Sequence, residues 1–188
     1  MRNTAINTLA YTGIVTISQY RGAKKVRIAQ MHNTGGMPLF DFLSDCLVGD
    51  FDTARAGRPA KIRLLKQKKV PDRDTFITQY EAVSPFIFLL TSPEKKQSST
   101  QSYVRYTFMI PKNTLEEDLA NYEDLGIGLY TLGTDNNISS SDALENFAAF
   151  VELDDNKAVL INTLANTALV VDWELVISNI GSVSTTAR

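Results

Sequence analysis

The chain has 188 residues, 44% of them hydrophobic, with 19 Lys/Arg against 21 Asp/Glu for a formal net charge of −2. This is the composition of a globular domain long enough to bury a core without a covalent staple. A single cysteine, Cys46, and a single histidine, His32, exclude an internal disulfide framework and leave too little material for a zinc or other transition-metal centre. The longest apolar run, Phe86 to Leu90, falls far short of the ~20 residues a membrane helix needs. Met1-Arg2-Asn3-Thr4 lacks the apolar core of a signal peptide, so synthesis in the cytoplasm with no membrane anchor is expected. The charges are sorted by position. Residues 1–112 carry seventeen Lys/Arg against eight Asp/Glu, whereas residues 113–174 carry thirteen Asp/Glu against Lys157 alone. Such sorting suits a protein that attracts copies of itself or oppositely charged neighbours.

In chain order, most apolar residues fall at period two, the mark of half-buried strands. Gly13 to Ser18 and Val26 to His32 read as two strands joined through the charged, glycine-containing segment Gln19 to Lys25. Pro38 to Leu47 breaks the pattern, because Leu39, Phe40, Leu43, Cys46 and Leu47 repeat at helical spacing. Pro38 suits a first turn and Gly49 a left-handed stop, so a short amphipathic helix over about 38–48 is expected, with Cys46 on its buried face. Lys61 to Leu65 and Phe76 to Ala82 follow as strands. Phe86 to Thr91 is apolar on both faces and predicts a central strand covered on each side. Ser92 to Ser102 reads as a loop. Tyr103 to Ile110 alternates clearly, with Val104, Tyr106, Phe108 and Ile110 inward. Thr114-Leu115-Glu116-Glu117 fits a capping box and predicts one or two helical turns to about Tyr122. Strands are expected over Gly126 to Leu132, Phe147 to Leu153 and Leu169 to Ser178, separated by a polar loop from Thr134 to Asp142. In the last strand Val171, Trp173, Leu175 and Ile177 share one face and Asp172 and Glu174 the other.

These elements predict an all-β protein: an antiparallel β-sandwich, jelly-roll-like or immunoglobulin-like, with one short amphipathic helix. Residues 1–180 form one domain and residues 181–188 a flexible tail.

Catalytic chemistry finds little support. A Cys46–His32 pair would need an accessible thiol, and the helix pattern buries it. Asp135-Asn136-Asn137 and Asp154-Asp155-Asn156 have the composition of turns. Gly126-Ile127-Gly128 lacks the third glycine and the helix of a dinucleotide loop. No catalytic, cofactor-binding or metal-binding residue is assigned, and no cofactor. Two charged segments remain as candidate interfaces. The basic one comprises Arg55, Arg58, Lys61, Arg63, Lys66, Lys68, Lys69 and Arg73, and the acidic one Glu116, Glu117, Asp118, Glu123 and Asp124. Nucleic acid is disfavoured as the partner of the basic segment, because no aromatic residue for base stacking lies between Phe51 and Phe76. If strands of the two halves interleave, Asp172 and Glu174 would sit beside Arg105 or Lys61 and the pairing would be internal.

The arrangement Asn33-Thr34-Gly35-Gly36-Met37-Pro38-Leu39-Phe40-Asp41-Phe42-Leu43, then Arg58 to Leu65, then Gly128-Leu129-Tyr130, Phe147 to Asp154 and Ala168 to Asn179, resembles β-sandwich virion structural proteins of tailed bacteriophages, crAss-like phages among them. The resemblance implies a non-enzymatic structural role: head decoration, head-fibre attachment, or a collar or tail component. Its partners would be other virion proteins and copies of itself, and its location the virion. No long fibrous extension is present, which does not fit a complete head fibre. The alternative is a sugar- or ligand-binding β-sandwich using Asp135 to Asp142 as its loop.

Overall fold

A computed structural model describes residues 5–68, 79–98, 101–115, 125–135, 142–143, 147–153 and 156–184. Two long strands, β1 (Ala5–Arg21) and β2 (Lys24–Gly35), form a hairpin turned at Gly22-Ala23. Two helices, α1 (Met37–Val48) and α2 (Phe51–Gly57), lead into β3 (Pro59–Lys68), β4 (Gln79–Ala82), β5 (Ile87–Phe88), β6 (Glu94–Gln97) and β7 (Gln101–Ile110). Then come β8 (Leu125–Thr131), β9 (Asp142–Ala143), β10 (Ala149–Glu152), α3 (Lys157–Leu164) and β11 (Leu169–Ser184).

Among the described residues all pairings are antiparallel, in the order β6-β7-β11-β1-β2 for one sheet and β2-β10-β8-β3-β4-β9 for the other, with β5 also pairing β3. Strand β2 belongs to both, pairing with β1 up to Asn33 and with β10 through Thr34 and Gly35. On the opposite side the segment after β5 bridges the sheets. Leu89 N donates to Ala60 O of β3 at 3.2 Å, and Leu90 N to Thr107 O of β7 at 2.8 Å. The result is the expected sandwich, closed along both flanks.

The alternation seen in the sequence builds the core. Val15 and Ile17 of β1, Val171, Trp173 and Leu175 of β11, and Tyr106, Phe108 and Ile110 of β7 face Ile62, Leu64, Ile127, Leu129, Ala149 and Val151 of the other sheet. Trp173 is fully buried, as its place on the closing strand requires. A second cluster of Leu65, Tyr80, Tyr130, Phe147 and Phe150 lies on the other face of β3, β8 and β10. Its rings meet edge to face or tilted at 4.5–6.0 Å, and Phe147 stacks on Phe150 at 5.5 Å. Strand β8 is therefore buried on both faces throughout.

Several expectations are corrected. Phe86 to Thr91 is not a doubly covered central strand: only Ile87–Phe88 forms a strand, and Phe88 and Leu90 are exposed. That position belongs to β8, whose glycines disguise the apolar run. Ser92 to Ser102 is not wholly a loop, since Glu94–Gln97 pairs with β7. The expected tail from residue 181 starts within β11, where Ser182, Val183 and Ser184 pair with Asn7, Ile6 and Ala5, and residues 185–188 lie outside the described residues. Helices α2 and α3 were not anticipated. Helix α1 matches its expected span and its left-handed stop at Gly49, φ 79°, but its faces differ. Among its described side chains only Leu39 is fully buried, with Phe42 and Leu43 packed against the core, while Phe40, Cys46 and Leu47 are exposed. The core contacts of the stripe stop at Leu43, and its C-terminal turn, from Cys46 to Val48, is in solvent. The helix expected from Thr114 to Tyr122 lies mostly outside the described residues.

Gly126-Ile127-Gly128 has a packing role. A Cβ on Gly126 would lie 2.3 Å from the Phe150 ring, and one on Gly128 2.9 Å from the Phe147 ring. Gly126→Ala is expected to cost ~1–3 kcal/mol as overpacking, read as a lowered urea midpoint. Adding Phe150→Leu to that variant should restore part of the loss.

Candidate interaction surface

Two carboxylates of the acidic third, Asp172 and Glu174, find basic partners inside the fold. Asp172 and Glu174 sit on the β11 face opposite Trp173, and β11 runs between β1 and β7, which carry or adjoin early basic residues. Lys25 Nζ reaches Asp172 Oδ2 at 2.5 Å, and Thr107 Oγ1 donates to Asp172 Oδ1 at 2.9 Å. Arg105 donates to Glu174 Oε1 through Nε at 2.7 Å and Nη2 at 2.6 Å, with Glu94 at 3.7 Å. Burial works against the Arg105 charge, but Glu174, Asp172 and Glu94 outweigh it and raise its pKa above the ordinary value. Arg105 and Glu174 are register partners, so a double-mutant cycle with Arg105→Ala and Glu174→Ala should give a coupling of about 0.5–1 kcal/mol. The coupling should shrink in high salt.

The basic segment does not form one solvent-facing patch. Arg55 is exposed in the last turn of α2, and Arg58 is exposed just after it. At the start of β3, Lys61 and Arg63 alternate with the core residues Ile62 and Leu64, as a pleated strand demands. Lys61 is 1% exposed, and its Nζ donates to Thr134 O. Arg63 Nε donates to Ser84 O at 2.8 Å. Both cations lie 4.6 Å from the Phe86 ring centre, which is itself edge-on to Tyr130. Lys66 approaches Glu81 at 3.7 Å, and Lys68 pairs through its backbone with Gln79. Arg63, Lys66, Glu81 and Ser84 line an open groove of about 310 Å³. Lys69 and Arg73 lie outside the described residues, as does the whole acidic set Glu116, Glu117, Asp118, Glu123 and Asp124.

Burial pulls the Lys61 pKa below the ordinary lysine value, with Asp135 acting in the opposite direction. Between the lowered folded value and the ordinary unfolded one, the unfolded chain holds a proton that the folded chain has released. Stability therefore rises as pH climbs through that window. Urea midpoints from about pH 7 to about pH 10 should show the wild type gaining on Lys61→Met, and parallel curves would remove the buried charge from the account.

The exposed surface lies elsewhere. Asp50 caps α2 by accepting from Thr53 N at 3.2 Å, and the Thr53 side chain and N–H hold its carboxyl below the ordinary value. This cap turns the chain sharply between the helices. It leaves Leu47 82%, Val48 79% and Phe51 71% exposed, a concentration of apolar side chains within five residues. Exposed large apolar groups grouped in this way mark contact surfaces on folded proteins. The sequence carried the signal as Leu47-Val48-Gly49-Asp50-Phe51, three large apolar residues around a turn. The helical spacing of α1 hid it by assigning Leu47 to the core.

Among the described residues, no group of three or more His, Cys, Asp or Glu is placed to hold a metal ion. His32 is exposed on β2 and Cys46 is exposed on α1. No helix among the described residues is long and apolar enough to cross a membrane. The chain matches no family model, no curated protein and no solved structure.

Proposed function

We propose that this chain is a non-enzymatic structural component of a tailed-phage virion, a head-decoration, head-fibre-attachment, or collar or tail protein, acting through repeated protein–protein contacts. The observation that carries the reading is the exposed apolar group Leu47, Val48 and Phe51 at the α1–α2 turn. Water-exposed side chains of this size gain free energy when a partner covers them, about 25 cal/mol per Å² removed from water. Three ion pairs, Lys25–Asp172, Arg105–Glu174 and Lys66–Glu81, tie charged groups of the sandwich to one another. The sandwich also suits the resemblance to virion proteins, and virion partners and copies of the chain are the contacts it implies.

The test is localisation and binding. Antibody against the protein should label particles of the phage that encodes it. The variant Leu47→Ser/Val48→Ser/Phe51→Ser should bind purified heads or tails at least tenfold more weakly than the wild type. Unlabelled particles, together with no binding to heads or tails at low or high salt, would overturn the reading. Calcium-dependent capture of a glycan would favour the ligand-binding alternative instead.

A further inference from the structure

Strands β1 and β11 run past their neighbours. Strand β2 leaves β1 after pairing Asn33 with Gly13, because its last residues cross to β10. Strand β7 begins opposite Ser178. Beyond Gly13, Ala5 to Thr12 pairs only with β11 among the described residues, and from Leu9 outward, where β7 no longer flanks β11, the two strands run on as a ribbon reaching to Ser184. Eight residues at the rise of an extended strand give an open β1 edge roughly 25 Å long. The outer edge of β1 over this length has no strand beside it among the described residues, and its outward N–H and C=O groups offer a template for another strand.

The composition of this edge departs from that of the other edge strand. Strand β6 is four residues long, wholly exposed, and carries Lys95 and Lys96, the usual means of discouraging a further strand. The hairpin end of β1 and β2 is similarly guarded by Arg21, Lys24, Lys25 and Arg27. The ribbon has no such guard. Neither residues 5–12 nor residues 176–184 contain a single Asp, Glu, Lys, Arg or Pro.

We infer that the free edge of β1 over Ala5 to Thr12 pairs antiparallel with the same edge of a second copy, making a four-stranded sheet β11-β1-β1-β11 across a twofold axis. The occupant is a second copy because a twofold pairing brings like residues together. A charged edge would then face its own charge, whereas this one meets a neutral strand of the same kind. Hydrogen bonding across the twofold is reciprocal, so each donor row meets the matching acceptor row. The inference deepens the assembly reading by naming one partner, and it stands on a surface separate from the α1–α2 turn.

Light scattering should show a dimer whose mass does not fall between low and high salt. Asn7→Lys and Ala10→Lys should each weaken dimerisation at least tenfold, while Ser44→Lys on α1 leaves it unchanged. Circular dichroism establishes that each variant is folded. In a Cys46→Ser background, single cysteines placed from residue 5 to residue 12 should form an intermolecular disulfide only near the twofold. Facing Cα atoms there are ~4.5–5.5 Å apart, within disulfide range. A monomeric wild type, a dimer indifferent to both lysines, or no intermolecular crosslink at any position from 5 to 12 would overturn the inference. The Leu47/Val48/Phe51 serine variant separates the two proposals. If it alone abolishes association, the ribbon pairing falls and the assembly reading stands.

Discussion

The position of β11 between β1 and β7 is the constraint on which the rest of the molecule depends. One face of this strand supplies Val171, Trp173 and Leu175 to the core, and the other presents Asp172 and Glu174 to basic partners on either side. A shift by one residue would exchange the faces, placing carboxylates in the apolar core and the indole among the charged partners. Register is thus fixed twice, once by apolar burial and once by charge. Neither term needs to be large for the combination to be selective.

The remaining elements close what β11 organises. Strand β2 carries the chain around one flank from sheet to sheet, and residues 87–90 seal the other by bonding to both β3 and β7. Helix α3 adds Leu160 and Leu164 to the core, and α1 adds Leu39. The outer face of β3 and β8 is finished differently, with an aromatic cluster and two cations over Phe86. A lysine as buried as Lys61 is tolerated there because a carbonyl, a ring face and Asp135 share its charge.

Period-two patterning made β7 and the body of β11 legible, down to the inward positions of Tyr106, Phe108, Ile110 and Trp173. It failed where burial is two-sided or interrupted. The Gly126 and Gly128 positions broke the run that marks β8 as doubly covered, while Phe86 to Thr91 showed an unbroken run but has solvent on one face. Helical periodicity identifies α1 but does not say how far along the helix core contact extends, so Leu47 and Cys46 read as inward while both are exposed. The exchange of charges between Lys25 and Asp172 was invisible for another reason. Periodicity says which face a residue occupies and nothing about which strand lies beside it. The candidate surface at Leu47, Val48 and Phe51 was therefore hidden behind a correct helix, and the ribbon behind an expected tail.

The same β1–β11 pairing has a consequence for the order of events during synthesis. Lys25 and Asp172 are 147 residues apart in sequence, and β1 acquires its inner neighbour only after β11 has been made. The early hairpin with β2 is local and quick to form, but it leaves β1 half-paired while the rest of the chain emerges. Contacts of such long range slow folding, because loop closure must precede any gain from the contact. The neutral composition that suits β1 to a partner strand also makes it adhesive during this interval. Sheet closure thus acts as a clock, since two uncharged strand edges are exposed before β11 arrives and only the ribbon's outer ones after it.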